Sequence, residues 1–269
     1  MIRFAGQWLL LDIEGTTSSI RFVYDEMFPY VRKHLDEFLD RHWGSEPLTK
    51  ALDQMARDLG FPDHRDWLKM DDVAAAKACV RRQTLAWMDQ DAKLTGLKAL
   101  QGLVWESGFT SGQLRAHVYD DVPAALQRWK KMGVRVCIYS SGSVQAQCLF
   151  FRHTIHGDLL RYITAHFDTT TGDKKQASSY RAIVRHLNTE PTAMLFVSDV
   201  PAELDAAREA HLNTALCMRP GNKDPGVHDH PQIRTFFDIV LDPGYNERIV
   251  HGPGISVFRP DGFGYEPGL

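Results

Sequence analysis

Several absences narrow the field at once. The 269-residue chain has only four cysteines, Cys79, Cys137, Cys148 and Cys217, with no CxxC pair and no zinc-like spacing. That pattern speaks against a disulfide framework and fits reduced thiols in a cytosol. Charge of one sign is also lacking. A formal net charge of -3 supplies neither the basic field that nucleic acid needs nor an acidic tail. Long apolar runs are missing too. The opening residues MIRFAGQWLL contain no signal core or small-residue cleavage site, and no later stretch approaches a membrane span. No repeat or low-complexity tract appears. A soluble cytoplasmic protein without nucleic-acid or membrane partners is expected, monomeric because no large apolar stripe stands out.

What is present is an alternation. Short, almost purely apolar runs recur at 8–12 (WLLLD), 134–140 (VRVCIYS), 193–199 (AMLFVSD), 213–218 (NTALCM) and 237–241 (FDIVL). Strands covered by helices on both faces read this way. Helical segments lie between them: VPAALQRWKKMG has Pro near its start and Gly at its end, and DVPAELDAAREAH spaces Leu204, Ala207 and Ala210 along one face. The fold class this predicts is α/β, a doubly wound, mainly parallel sheet.

Residues 20–117 break the rhythm. Phe28, Val31, Leu35, Phe38 and Leu39, and then Val73, Ala76, Val80 and Trp87, repeat at helical spacing with no buried strand among them. The organisation expected is a core of residues 1–19 and 118–242, an all-helical insertion at 20–117, and a tail at 243–269 with six glycines and four prolines. Crossings near Thr16–Ile20 and His117–Val122 suit a lid that opens and closes. The insertion supplies Phe22, Phe28, Trp87, Trp105 and Phe109 for an apolar, polarizable pocket, although each reads more readily as core of the insertion than as a ligand contact.

Chemistry gathers outside the carboxyl ends of parallel strands. Asp12 stands there in LLLDIEGTT, with Glu14 one residue beyond it; Ser140 and Ser141 stand there in IYSSG, and Asp199 in FVSD. Lys174 lies in the loop TTTGDKKQ. Two facing carboxylates repel unless a cation sits between them, and Mg2+ suits oxygen ligands that include phosphate and water. Each piece alone has a plain alternative, a helix cap or a solvated charge; their order along the chain is what carries the signal. HDH at 228–230 reads as surface loop, and His153 and His156 as neighbours on one helical face without a third ligand.

These motifs resemble the haloacid dehalogenase superfamily with a C1-type helical cap. DIEGTT, with Glu14 where most phosphatases of that superfamily carry Asp, together with FPYV, LQGLVW, GFTSG, IYSSGSVQAQ, HFDTTTG and FVSDVPAE, resembles its enolase-phosphatase family over residues 7–221. The resemblance implies one Mg2+ per chain, a small phosphorylated substrate, and a role in methionine salvage. The implied reaction is enolisation and dephosphorylation of 2,3-diketo-5-methylthiopentyl-1-phosphate to an acireductone through an aspartyl-phosphate. It implies Asp12 as nucleophile and metal ligand, and Glu14 as general acid/base that also offers its backbone carbonyl to the metal. Ser140 and Ser141 would bind phosphate, Lys174 would neutralise it, Asp199 would complete the metal site and Glu203 would support it. One departure is Gln176, which stands after Lys174-Lys175 where the family usually has an acid. Competing readings are a capped phosphatase of another metabolite and a non-catalytic acidic-cluster signalling module, the latter disfavoured by the long helical insertion.

Overall fold

A computed structural model describes residues 1–69 and 72–241; the Gly/Pro-rich tail expected at 243–269 lies outside them. The core is a six-stranded sheet of β2 (Trp8–Leu11), β3 (Arg135–Tyr139), β4 (Ile163–Phe167), β5 (Met194–Ser198), β6 (Asn213–Cys217) and β7 (Gln232–Ile233). Its order is β4-β3-β2-β5-β6-β7 and every pairing is parallel. The chain runs outward from β2 to β4 on one side, then returns to add β5 to β7 on the other. The reversal places β2 between β3 and β5, the switch point where open α/β sheets bind ligands.

Period-two alternation explains why the central strands are apolar throughout. Leu9 and Leu11, Val136 and Ile138, and Leu195 and Val197 face α6 (Asp121–Lys131) and α7 (Val144–Arg152), meeting Leu126, Trp129, Phe150 and Phe151. Trp8 and Leu10, Cys137 and Tyr139, and Met194 and Phe196 face α8 (Ala177–His186) and α9 (Pro201–Glu209), meeting Tyr180, Ile183 and Leu204. Between β2 and α6 the chain forms a six-residue π-helical turn, Phe22–Met27, and five helices: α1 (Phe28–His42), α2 (Glu46–Asp58), α3 (His64–Leu68), α4 (Val73–Asp89) and α5 (Thr95–Ser111). Val31, Leu35 and Leu39 of α1 pack with Leu52, Met55, Val80, Leu100 and Val104 into an apolar centre separate from the two sheet faces.

Three sequence expectations need correction. FDIVL does not join the main sheet. Only Ile239–Leu241 is extended (β8), and it pairs in parallel with β1 (Ile2–Phe4), a strand not anticipated, as a separate two-stranded sheet. The edge strand β4 was missed because Thr164 and His166 interrupt its apolar residues; an edge strand has one face only partly covered, so it lacks the continuous run of its neighbours. His153 and His156 do not share a helix, since α7 ends at Arg152; His153 stacks on Phe109 and His156 lies 3.5 Å from Asp120. HDH is not wholly superficial either: His230 is buried, 2.9 Å from Thr214 and 3.1 Å from Asp205.

A buried ion pair ties the segment after β6 to the core. The Arg219 guanidinium donates to both carboxylate oxygens of Asp121, at 2.9 and 3.0 Å, and to the carbonyls of Thr16 and Arg234 at 3.0 and 3.1 Å. It lies over the rings of Tyr119 and Phe236, 4.4 and 4.9 Å from their centroids. Asp121 also accepts from the Phe236 amide at 2.6 Å. Removing one member leaves a desolvated charge, so Asp121→Ala is expected to cost about 3–5 kcal/mol in urea unfolding. A loss below about 1 kcal/mol would show that the pair is dispensable.

Candidate active site

The register brings three strand ends level. Leu11 pairs with Ile138 on one side and Val197 on the other, and the Asp12 amide continues the ladder to the Val197 carbonyl at 3.0 Å. Asp12, Ser140 and Ser198–Asp199 therefore emerge side by side. The chain then turns sharply. The amides of Thr16, Thr17 and Ser18 converge on the Ile13 carbonyl at 3.2, 3.0 and 2.9 Å, and the Thr17 hydroxyl donates to the Asp12 carbonyl at 3.2 Å. Gly15 is required here twice over. Its φ is +71°, and a Cβ would fall 2.2 Å from Asp199 Oδ2. Asp12 and Glu14 thus reach one place by a tight turn rather than by strand alternation, because the strand itself stops at Leu11.

Lys174 is the cation of the cluster. Its Nζ lies 2.8 Å from Asp12 Oδ1 and 2.7 Å from Glu203 Oε2, and all three side chains are buried. Burial works against its charge, but the carboxylates of Asp12 and Glu203 outweigh that and hold the ammonium above the ordinary lysine range. The loop is pinned by the Tyr180 hydroxyl, which donates to the Lys174 carbonyl at 2.6 Å, and by Tyr139, which donates to the Gly172 carbonyl at 2.9 Å. Glu203 supplies the orienting acid, so exposed Gln176 has no such role to fill; Lys175 also points to solvent. Ser198 donates to Glu203 at 2.9 Å and lies 3.4 Å from Asp12 Oδ2.

The remaining acids are less well compensated. Burial, then the charge of Asp12, pushes the Glu14 carboxyl up to about 7. Burial, then Asp12 and Glu203, pushes Asp199 up to about 7. Glu203 is raised as well, by burial first and Asp12 second.

Beside this cluster a cavity of about 400 Å³ opens between the sheet and the inserted helices, with Glu14, Ser140 and Ser141 in its wall. Of the five aromatic residues the insertion offers, each read more readily as core, Phe28 and Trp105 line the cavity. Phe22 and Phe109 are buried in the core beside the sheet, and Trp87 lies within the helical centre. Among the described residues no group of three or more His, Cys, Asp or Glu side chains forms a metal cage.

Residues 7–211 match the haloacid dehalogenase-like hydrolases. Enolase-phosphatase E1 of Sorangium cellulosum is 44% identical over 239 residues, spanning 89% of this chain and 99% of that protein. The protein of the same name from Thioalkalivibrio sulfidiphilus is 45% identical over 232 residues, spanning 86% and 97%. The chain belongs to the enolase-phosphatase family of haloacid dehalogenase-like hydrolases. The crystal structure of the UTR4 protein of Saccharomyces cerevisiae, 34% identical, superposes with a TM-score of 0.70 over 86% of this chain and 98% of that one.

Within this enolase-phosphatase fold, sequence reasoning missed the residues that hold the serine loop. The Gln147 amide donates to the Gly142 and Phe167 carbonyls, both at 2.8 Å, and its oxygen faces His166 Nδ1 at 3.1 Å. Because both amide hydrogens are committed, Gln147 offers only its oxygen, so His166 carries its proton on Nδ1. Asp168 accepts from the Val144 amide at 3.1 Å at the start of α7. The only signal in the sequence was Gln147 within SVQAQ, where nothing distinguished it from a surface glutamine.

His166 makes this network sensitive to acid. Burial pushes its imidazole down to about 4, whereas in the unfolded chain it protonates near about 6.5. The unfolded state binds the extra proton between those values, so the contribution is complete above about pH 6.5 and is lost as pH falls towards 4. His166→Gln keeps a donor for Gln147 without the titration and should show a flatter decline in stability across that window. An unchanged slope in denaturation at several pH values would place the acid sensitivity elsewhere.

Proposed function

We propose that the chain enolises and dephosphorylates 2,3-diketo-5-methylthiopentyl-1-phosphate to the acireductone 1,2-dihydroxy-3-keto-5-methylthiopentene, as a monomeric enzyme of methionine salvage whose inserted helices act as a substrate-enclosing cap. The observation that carries this is Asp12, held by Lys174 at 2.8 Å at a sheet switch point, next to a Glu14 poised near neutrality and a cavity of about 400 Å³. The names of the relatives supply the reaction pair, and the residues fit it.

The donor set fits a divalent cation. Lys174 contacts Asp12 and Glu203 and leaves Asp199 and Glu14 raised, an excess of negative charge that a hard cation would relieve. Mg2+ needs only one or two carboxylates beside water and phosphate, so the absence of a cage of three acids is compatible with it. Asp12, Asp199 and the Glu14 backbone carbonyl would hold it, and when bound it supplies charge neutralisation for phosphoryl and enolate oxygens.

The protein groups then act in order. Glu14, with a carboxyl near 7, takes the C1 proton beside the carbonyl and delivers it to the C2 oxygen to give the enol; reprotonated from solvent, it then protonates the leaving C1 oxygen. Asp12 attacks phosphorus in line, forming an aspartyl-phosphate as the phosphorus–oxygen bond to the enol breaks. Glu14, again ionised, takes a proton from the water that hydrolyses this intermediate. Lys174 orients Asp12 and offsets charge on the phosphoryl oxygens, while Ser140 and Ser141 hold the phosphate.

A coupled assay should show enediol absorbance and phosphate release rising together on the diketone phosphate, both abolished by chelation. Phosphate released only from other monoesters would end the pathway assignment. Asp12→Asn should reduce turnover at least about a thousandfold without loss of folding. Asp199→Asn should raise the Mg2+ concentration for half-activity at least about tenfold; an unchanged requirement would remove it from the metal site.

A further inference from the structure

The cavity wall formed by α5 has two faces of different chemistry. Leu97, Lys98, Gln101 and Trp105 all line it, at the spacing that keeps residues on one helical side. Leu97 and Trp105 continue an apolar lining that includes Met27, Phe28, Met88 and Phe150. Lys98 and Gln101 interrupt it.

Neither polar side chain is satisfied by the protein. Gln101 is 5% exposed and lines the cavity, and among the described residues its amide has no hydrogen-bond partner. The amide opens onto the cavity instead of a protein group, so its natural partner is whatever fills that space. The other cavity cations are already paired, Arg32 with Asp89 and Lys93 with Asp91, both at 2.6 Å. Lys98, half-buried, has no ion pair or hydrogen bond among the described residues. The pair shares the cavity lining with Ser140, Ser141 and Glu14, amid the apolar residues.

We propose that Lys98 and Gln101 bind the oxygen atoms of the substrate's organic part, the vicinal carbonyls beside the phosphate ester, and so determine which phosphate monoester is accepted. The inference rests on the function proposed above and assigns its specificity to these two residues. A donor amide and an ammonium match two adjacent carbonyl oxygens, whereas the apolar lining matches only the tail. An ammonium on these oxygens would offset the negative charge that develops there as the C1 proton leaves, so Lys98 should matter more for enolisation than for ester hydrolysis. A site built to hydrogen-bond such oxygens also discriminates strongly against substrates without them, because its own polar groups are then left unpaired.

The test compares kcat/KM for the diketone phosphate with that for p-nitrophenyl phosphate, which lacks carbonyls, in wild type, Lys98→Met, Lys98→Arg and Gln101→Leu. The expected result is at least a tenfold fall in the ratio for Lys98→Met and for Gln101→Leu, with partial recovery in Lys98→Arg and a larger loss in enediol formation than in aryl phosphate hydrolysis. Ratios within twofold of wild type would overturn the inference and leave the proposed function standing. Wild type that hydrolyses only p-nitrophenyl phosphate would overturn both. Should a variant fail to fold, inhibition of wild type decides the matter. A 2,3-dioxoalkyl phosphonate should bind at least tenfold tighter than the plain alkyl phosphonate of equal length, and equal inhibition would overturn the inference.

Discussion

One buried ammonium organises the centre of this molecule. Lys174 is the cation that touches both Asp12 and Glu203, and it does so where four carboxylates crowd the end of a parallel sheet. An acid at that depth stays ionised only if something positive or a set of donors faces it. Lys174 can face two of the four. The sheet supplies the rest of the arrangement: β2 lies between β3 and β5, so Asp12 sits level with the ends of both neighbours. Tyr180 on α8 fixes the lysine from behind through its backbone carbonyl. Glu14 and Asp199, which Lys174 does not touch, rise to about 7, and Glu203 is raised as well in spite of its contact. The imbalance is a property of the chain itself and gives the site its demand for a further positive charge.

Much of this was legible in the sequence because the central strands are buried on both faces. WLLL, RVCIY and MLFVS announce themselves as largely apolar runs, and Asp12, Ser140 and Asp199, which follow them, are polar because they meet the site rather than the core. The helical insertion was equally visible from the spacing of Val31, Leu35 and Leu39. What stayed hidden lies where burial is partial or where long-range contacts decide. The edge strand Ile163–Phe167 alternates like a loop segment, and β1 needs β8, more than 230 positions away in sequence, before either counts as a strand. Glu203 as the orienting acid of Lys174 was invisible for the same reason: a neighbour in space replaces the neighbour in sequence that Gln176 fails to provide.

The aromatic residues show the limit of reading composition as lining. Phe28 and Trp105 reach the cavity, but Phe22, Phe109 and Trp87 fill cores on either side of it. Periodicity marks which face of a helix is apolar; it does not say whether that face meets another helix or an enclosed space. Gln101 illustrates the converse. A glutamine in the middle of an apolar helix would ordinarily be assigned to solvent, yet it is buried, and only the cavity beside it accounts for a polar group there.

The turn after Asp12 carries weight equal to that of the acids, because distant segments of the chain grip it. The Gly15 carbonyl accepts from Asn222, the Thr16 carbonyl from Arg219 and the Thr17 carbonyl from the Tyr119 amide. Those partners come from two places: the segment beyond β6, which supplies Asn222 and the ion-paired Arg219, and the return crossing from the inserted helices, which supplies Tyr119. The first crossing is stitched to the second as well, since the Ser19 amide donates to His117 Nδ1 at 3.2 Å. A turn held by three consecutive carbonyls cannot shift without breaking contacts to both segments at once. Any movement of the inserted helices over the sheet must therefore be taken up beyond residue 18, which leaves Asp12, Glu14 and Asp199 in fixed relation while the cavity changes shape.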